Sequence, residues 1–364
     1  MKANISSIGV STPKNVFFQS ELPDTISERL NLDIIKRKIL KSVYGSSGID
    51  TRKFVLTKEE YIDLFPDNPS KPFPSTSTRM EIYQKYAADL AVEAIKDCLT
   101  PQTECVPNMI THLITVSCTG MYAPGIDIDI INKLNLSPNT KRTTINFMGC
   151  YGAFNGLKVA ESICLSDPSA NVLVVCIELC SIHFQYKKNM GSLVSSALFS
   201  DGAAAALIQK KSLQKQKFEI ANFHCDLVPQ TSSQMAWTIG DSGFDIVLSS
   251  YVPQAIQSGI SSFANTLYNK LGASIEKNDL YAIHPGGIKI LEACETELAI
   301  SKEQNKYAYQ TLKNNGNMSS ATILFVLKAM WDSLNDTDND RSIFCCAFGP
   351  GLTLESMLLK VKIT

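Results

Sequence analysis

Three short segments hold the side chains best suited to chemistry. Cys150 stands in Asn146-Phe-Met-Gly-Cys-Tyr-Gly-Ala-Phe, where a β-branched run from Thr143 to Phe147 ends and a helical pattern begins. A cysteine at such a turn faces the N–H groups and dipole of the following helix, which favour a thiolate. The bland alternative is a buried thiol that packs as a small hydrophobe. His284 closes an apolar run, Tyr281-Ala-Ile, and is followed by Pro285-Gly286-Gly287. The Pro-Gly-Gly forces a turn, and a histidine there stands at the carboxyl end of a strand, where ligands gather in open α/β sheets. Asn317 lies in Asn314-Asn-Gly-Asn-Met-Ser-Ser-Ala. It is either a turn or cap residue or an uncharged amide donor for a developing oxyanion.

The elements that position these residues alternate. Strand-like runs cover Thr111–Ser117, Thr143–Phe147, Asn171–Ile177, Ala203–Ile208, Leu280–Ile283, Ile343–Phe348 and Leu352–Leu359. Helical spacing covers Arg79–Cys98, Tyr151–Leu165, Val252–Leu271 and Ser319–Leu334. This predicts an α/β fold with helix-covered sheets. Gly152, Gly156 and Ala160 give one helix a face of small residues, against which another element can pack closely. The strand–turn–helix pattern runs twice, as a weak internal duplication. The polar stretch from Lys210 to Lys217 is either the boundary between the halves, 1–215 and 216–364, or a hairpin turn within one half.

Composition narrows the function. Among 364 residues, 45% are hydrophobic and 19% charged, with a net charge of -1. That is a globular balance without the basic excess of a nucleic-acid binder. The N-terminus is too polar for a signal peptide, and no run reaches the roughly 20 apolar residues of a membrane span. A cytoplasmic protein is therefore expected. Its eleven cysteines should be reduced thiols. They show no paired CxxC spacing, and the sequence implies neither a metal nor a redox cofactor.

Taken in order, Gly149-Cys150-Tyr151-Gly152, His284-Pro285-Gly286-Gly287, Gly316-Asn317-Met318-Ser319-Ser320-Ala321 and Phe348-Gly349-Pro350-Gly351-Leu352-Thr353 resemble the type III polyketide synthases, the chalcone-synthase-like family. Ile110-Thr-His-Leu-Ile-Thr-Val, Val172-Leu-Val-Val-Cys-Ile-Glu and Ala197-Leu-Phe-Ser-Asp-Gly add to the match, which runs from about Lys36 to the C-terminus. The resemblance implies a thiolase-type fold of two similar halves in five αβαβα layers, a homodimer, and acyl-CoA and malonyl-CoA substrates. It implies that Cys150 carries the acyl group while His284 and Asn317 stabilise the enolate left when malonyl-CoA loses CO2.

Further roles follow from the same resemblance. Phe199 matches the family's gate aromatic, and Gly349 and Pro350 its cyclisation-pocket loop. Lys38 and Lys41, with Gly286 and Gly287, are candidates for CoA contact. Ile246 replaces the second gate phenylalanine of plant members, and Trp237 matches the bacterial branch. Thr119, Ala123 and Cys180 align with small residues that open a tunnel in bacterial members taking fatty acyl starters. His183 and Trp237 would reduce the main cavity, which implies few extensions and an alkylpyrone or alkylresorcinol product. The loop Met121-Tyr-Ala-Pro-Gly is expected to reach the neighbouring subunit, with a cis bond before Pro124. The rival readings are a single-condensation ketoacyl carrier-protein synthase and a non-catalytic partner subunit on the same fold.

Overall fold

The computed structural model describes residues 2–363 except 66–72, 101–104, 186, 188, 213, 230, 232, 250, 277 and 278. The strands are β1 (Asn4–Ser11), β2 (Asn15–Phe18), β3 (Thr51–Phe54), β4 (His112–Ser117), β5 (Lys141–Asn146), β6 (Asn171–Leu179), β7 (Asp201–Gln209), β8 (Gln216–Leu227), β9 (Met235–Gly240), β10 (Gly243–Leu248), β11 (Leu280–Ile283), β12 (Ser342–Gly349) and β13 (Thr353–Ile363). The helices are α1 (Leu22–Arg29), α2 (Ile34–Gly45), α3 (Lys58–Leu64), α4 (Thr76–Cys98), α5 (Ile126–Leu134), α6 (Gly152–Ser166), α7 (Met190–Leu198), α8 (Val252–Gln257), α9 (Ile260–Asn269), α10 (Ile288–Leu298), α11 (Lys306–Asn315) and α12 (Thr322–Trp331).

Nine strands hydrogen-bond in the order β11-β12-β13-β8-β1-β7-β6-β4-β5. The joint between the two halves of this sheet is narrow. β1 runs along β7 from Asn4 to Ser11, yet meets β8 only where Asn4 faces Glu219 and Ile5 faces Phe218. On either side of the joint the pattern repeats. β4 and β6 are parallel, β6 and β7 antiparallel, β7 and β1 antiparallel. β11 and β12, β12 and β13, and β13 and β8 follow the same sequence of senses. The duplication is one of topology.

Helices fill five layers with these two sheets. α4 and α5 cover the outer face of the first through Leu113, Leu173, Val175 and Ala205, a core of their own. α6 and α12 lie between the sheets. A helix in that position is apolar on all sides, and Thr322 to Leu327 are all buried. The small face of α6 lets it approach the first sheet closely: a Cβ on Gly152 or Gly156 would fall 2.8 Å from Val116 or Val174. α9 packs on β8 and β13, and α8 and α10 join it in the outermost layer.

Three features differ from the sequence reading. The single helix expected over Val252–Leu271 is two, α8 and α9, separated at Ser258-Gly259, since glycine weakens a helix interior. β1 and β8 have no counterpart among the predicted strands. In β1, serines and a bulge between Ile5 and Ser7 blur the alternation. The Lys210 to Lys217 stretch is not a hairpin turn, because β7 and β8 flank β1 and do not pair with each other. The Ala123–Pro124 bond is cis, and all eleven cysteines are free thiols. Among the described residues, no helix is long and apolar enough to cross a membrane.

Candidate active site

The turn that carries Cys150 is built by backbone geometry. After β5, Phe147 and Gly149 take left-handed φ angles of 60° and 77°. They fold the chain into a 3-10 turn, Gly149–Tyr151, that carries Cys150 directly into α6. Glycine is required at 149 for its φ and for space, since a Cβ there would lie 2.2 Å from Pro350 Cδ. Its N–H donates to Cys118 Sγ at 2.9 Å, anchoring the turn to the end of β4. Cys150 itself is half-buried, with Sγ 3.9 Å from Ser319 Oγ.

His284 continues the β11–β12 ladder by one bond, its N–H donating to Cys346 O at 2.8 Å. Its ring is 1% exposed, and neither ring nitrogen has a protein hydrogen-bond partner. A buried histidine is normally satisfied, so two free ring nitrogens in one cavity are a mark of function. Asn317 is fixed by its own backbone. Its N–H donates to Leu198 O and its carbonyl accepts from Ser200 N, both at 2.9 Å, which splices it to the α7–β7 link beside Phe199. Its side-chain oxygen accepts from Ser319 N at 2.9 Å. The amide nitrogen therefore points the other way. One N–H reaches Gly286 O at 3.2 Å, and the amide also hydrogen-bonds toward the Cys150 thiol.

Cys150, His284 and Asn317 meet at a cavity of about 580 Å³, together with Thr119, Cys180, Phe199, Trp237, Ile246, Gly286, Gly287 and Pro350. Burial pushes the Cys150 thiol up to about 12, opposed by Ser319 and aided by the charge of Glu178. Burial pushes His284 down to about 3. Burial alone thus favours the neutral thiol and neutral imidazole, opposite to the thiolate expected from the helix-start position of Cys150. The reason is the apolar lining, which penalises each charge taken singly.

Other sequence candidates lie elsewhere. His183 does not line this cavity. It sits behind Trp237 and stacks on Phe244 at 4.2 Å, with Nε2 bonded to Thr119 O at 2.7 Å and Nδ1 accepting from Phe244 N at 3.0 Å. Its neutral ring is a structural bridge. Gly349 lies under the wall, where a Cβ would come within 2.6 Å of the Tyr151 ring. Ala123 is exposed on its cis-proline loop, away from this chain's cavity. Lys38 and Lys41 are exposed on α2 and line no part of it, and Lys41 pairs with Asp24 at 2.8 Å. Among the described residues, the charged one lining the cavity is Lys289, at the start of α10. The sequence reading missed it, along with Cys118 and Ser319. Lys289 follows His-Pro-Gly-Gly by two residues, a signal that was available.

His284 is expected to be the thiolate's partner. In His284→Ala, mapped alkylation of Cys150 by iodoacetamide at pH 7 should fall at least tenfold and keep climbing with pH to 9 and beyond. Wild-type rates at pH 7 in that variant would remove His284 from the role.

Comparison with known proteins agrees with this geometry. Residues 1–211 match the model of the N-terminal domain of chalcone and stilbene synthases, and residues 219–362 that of the C-terminal domain. The chain is 32% identical to the alpha-pyrone synthesis polyketide synthase-like Pks18 of Mycobacterium tuberculosis, over 99% of this chain and 91% of that one. It is 31% identical to type III polyketide synthase C of Arabidopsis thaliana, over 99% and 95%. Among solved structures, the C-terminal type III polyketide synthase domain of Steely1, a type I/III hybrid from Dictyostelium, superposes with a TM-score of 0.90 at 28% identity, over 100% of both chains. PKS-I from the brown alga Ectocarpus siliculosus gives 0.86 at 27%, over 99% and 98%. The chain belongs to the chalcone and stilbene synthase family and is a type III polyketide synthase, an acyltransferase that condenses CoA thioesters.

Proposed function

We propose that Cys150 accepts an acyl group from CoA, that malonyl-CoA then loses CO2 at the same site, and that the resulting enolate carbon attacks the acyl-cysteine. The observation that carries this is the convergence on one cavity of a thiol, an imidazole with two free nitrogens and an amide whose oxygen is already tied down. His284 takes the thiol proton as the acyl group arrives. After decarboxylation, negative charge grows on the thioester oxygen. A ring N–H of His284 and the Asn317 N–H that faces Cys150 both donate to it, without placing a second anion in the cavity. Phe199, spliced beside Asn317, walls the reacting end.

The starter we propose is a fatty acyl chain. The walls of the cavity are largely apolar, with Val194, Leu198, Met235, Leu248, Val252 and Ile288 among them. Each methylene buried there contributes about 0.8 kcal/mol. A second hollow of about 180 Å³, lined by Phe17, Phe54, Tyr61 and Phe184, lies across a shared wall of Cys180, Phe199, Trp237 and Ile246. Trp237 is pinned there by its indole N–H, which donates to Cys118 O at 2.7 Å. A wall so placed leaves little room for a growing chain and supports few extensions, ending in an alkylpyrone or alkylresorcinol. The halves 1–215 and 216–364 would supply the nucleophile and the oxyanion donors respectively. Lys38 and Lys41, on α2 near the Val43 and Ser46 edge of the cavity, remain proposed CoA contacts. A cytoplasmic setting suits the eleven free thiols. A homodimer is supported by the exposed cis-proline loop, with Met121 and Ala123 at its surface, and by the exposed edge strand β5.

Three results are expected. Acyl-CoA should add one acyl mass to Cys150, and Cys150→Ala should lose both adduct and product. Asn317→Ala should keep the adduct yet slow malonyl decarboxylation on the order of a hundredfold; loss of loading alone would reverse the assignment. Second, with starters of increasing length, the wild type should prefer medium or long chains and Cys180→Phe short ones. An unchanged profile would mean that the chain does not run past Cys180. Third, light scattering at micromolar concentration should give twice the 40.0 kDa chain mass; a monomer would overturn the dimer.

A further inference from the structure

Beneath the cavity lies a carboxyl group that the reaction as described does not use. Glu178, near the end of β6, is 0% exposed. Both its oxygens receive the Cys118 N–H, at 3.2 and 3.0 Å. Thr119 Oγ1 donates to Oε2 at 2.8 Å, and the Ser320 hydroxyl donates to Oε1. Thr119 Oγ1 in turn accepts from Leu179 N at 2.9 Å, so its own proton is committed to the carboxylate. Every contact is a donor, and none of the described ion pairs includes Glu178. The three donors favour the anion, against burial, which is the larger effect and raises the carboxyl's pKa.

What these donors are attached to gives the carboxylate its meaning. Cys118 receives the N–H of Gly149 on its sulfur, and Gly149 precedes the nucleophile. The Cys118 carbonyl holds Trp237, and the Thr119 carbonyl holds His183. Ser320 belongs to the other half of the chain. It follows Ser319, whose N–H orients the Asn317 amide and whose hydroxyl faces Cys150 Sγ. We propose that Glu178 is a positioning residue whose carboxylate ties the Cys118–Thr119 turn, which anchors the nucleophile, to the Ser319–Ser320 turn, which aims Asn317. It thereby fixes thiol and oxyanion donor relative to one another across the two halves. It touches neither substrate nor reacting atoms. The inference rests on the assignment of Cys150 and Asn317 above.

The anion has an electrostatic consequence as well. The titratable groups around Glu178 are Tyr83 on α4, Cys118 after β4, Cys150, Cys176 on β6 and Cys180, and none of them is a cation. Those facing Cys150 are Cys118, Tyr151, Cys180, Glu178 and, across the cavity, His284. The charge of Glu178 therefore opposes the thiolate and is not screened by a partner.

The test uses the full-length enzyme with two substitutions that keep the side chain polar. Glu178→Gln removes the charge and half of the acceptor capacity. Its mapped Cys150 alkylation profile should move to lower pH by at least half a unit, while kcat for malonyl-CoA decarboxylation falls at least tenfold and KM changes less than threefold. Glu178→Asp keeps the charge but withdraws it by one methylene. It should leave the alkylation profile in place and still lose decarboxylation. Circular dichroism and melting close to wild type identify variants that have folded. A Gln variant with an unshifted profile, or a loss of activity carried by KM, would overturn the proposal. So would an Asp variant with wild-type kcat. If the nucleophile assignment itself is wrong, that appears separately, as an acyl adduct that survives in Cys150→Ala, and both Glu178 readouts are still obtained.

Discussion

Everything at this site depends on keeping hydrogen-bonding groups buried and unused. A buried polar group without a partner costs about 1–3 kcal/mol, and His284 holds two such nitrogens at 1% exposure. The fold sustains that cost because the backbone around each group leaves it no other partner to find. His284 is bonded into the end of the β11–β12 ladder. Asn317 is clamped on both backbone sides and by its own amide oxygen. Cys150 is held by a turn with two left-handed residues, of which Gly149 lies so close to Pro350 that no Cβ would fit. The unused capacity is what a developing oxyanion would take up, without reorganisation at the moment of reaction.

The same burial decides the electrostatics. A thiolate or an imidazolium by itself is disfavoured in this lining. His183 shows the contrasting case. Its ring is as deeply buried and as strongly held neutral, but both nitrogens are bonded to backbone, and it serves only to brace Trp237 and Phe244. Two buried histidines in one molecule thus differ in whether their hydrogen bonds are already spent, not in how buried they are.

The sheet architecture explains why one cavity can draw on distant parts of the chain. Cys150 follows β5 of the first half, and His284 follows β11 of the second. Asn317 precedes α12, the central helix that touches strands of both. Because the two halves share the same strand senses, their carboxyl-end turns open toward the layer where α6 and α12 begin. The narrow joint of β1 with β8 is enough to set this alignment, since two packed helices fill the space between the sheets.

Much of this could be read from residue order. Left-handed glycine turns, strand-to-helix switches and the Pro-Gly-Gly stop are local events, and local backbone chemistry leaves its mark on sequence. The nucleophile turn, the histidine turn and the Asn317 turn were legible for that reason. So was the α/β alternation, although β1 and β8 were hidden by serines and mixed polarity. What sequence could not decide is which side chains face one another across the halves. His183 looked like a cavity wall, and only the packing of Trp237 and Phe244 turns it away. Lys38 and Lys41 stand exposed on α2, and only the packing of α10 brings Lys289 to the cavity. Glu178 read as one more residue of a buried strand. That its carboxyl joins the Cys118–Thr119 and Ser319–Ser320 turns depends on three donors from segments some 60 and 142 residues away, which only the tertiary structure brings within hydrogen-bond reach.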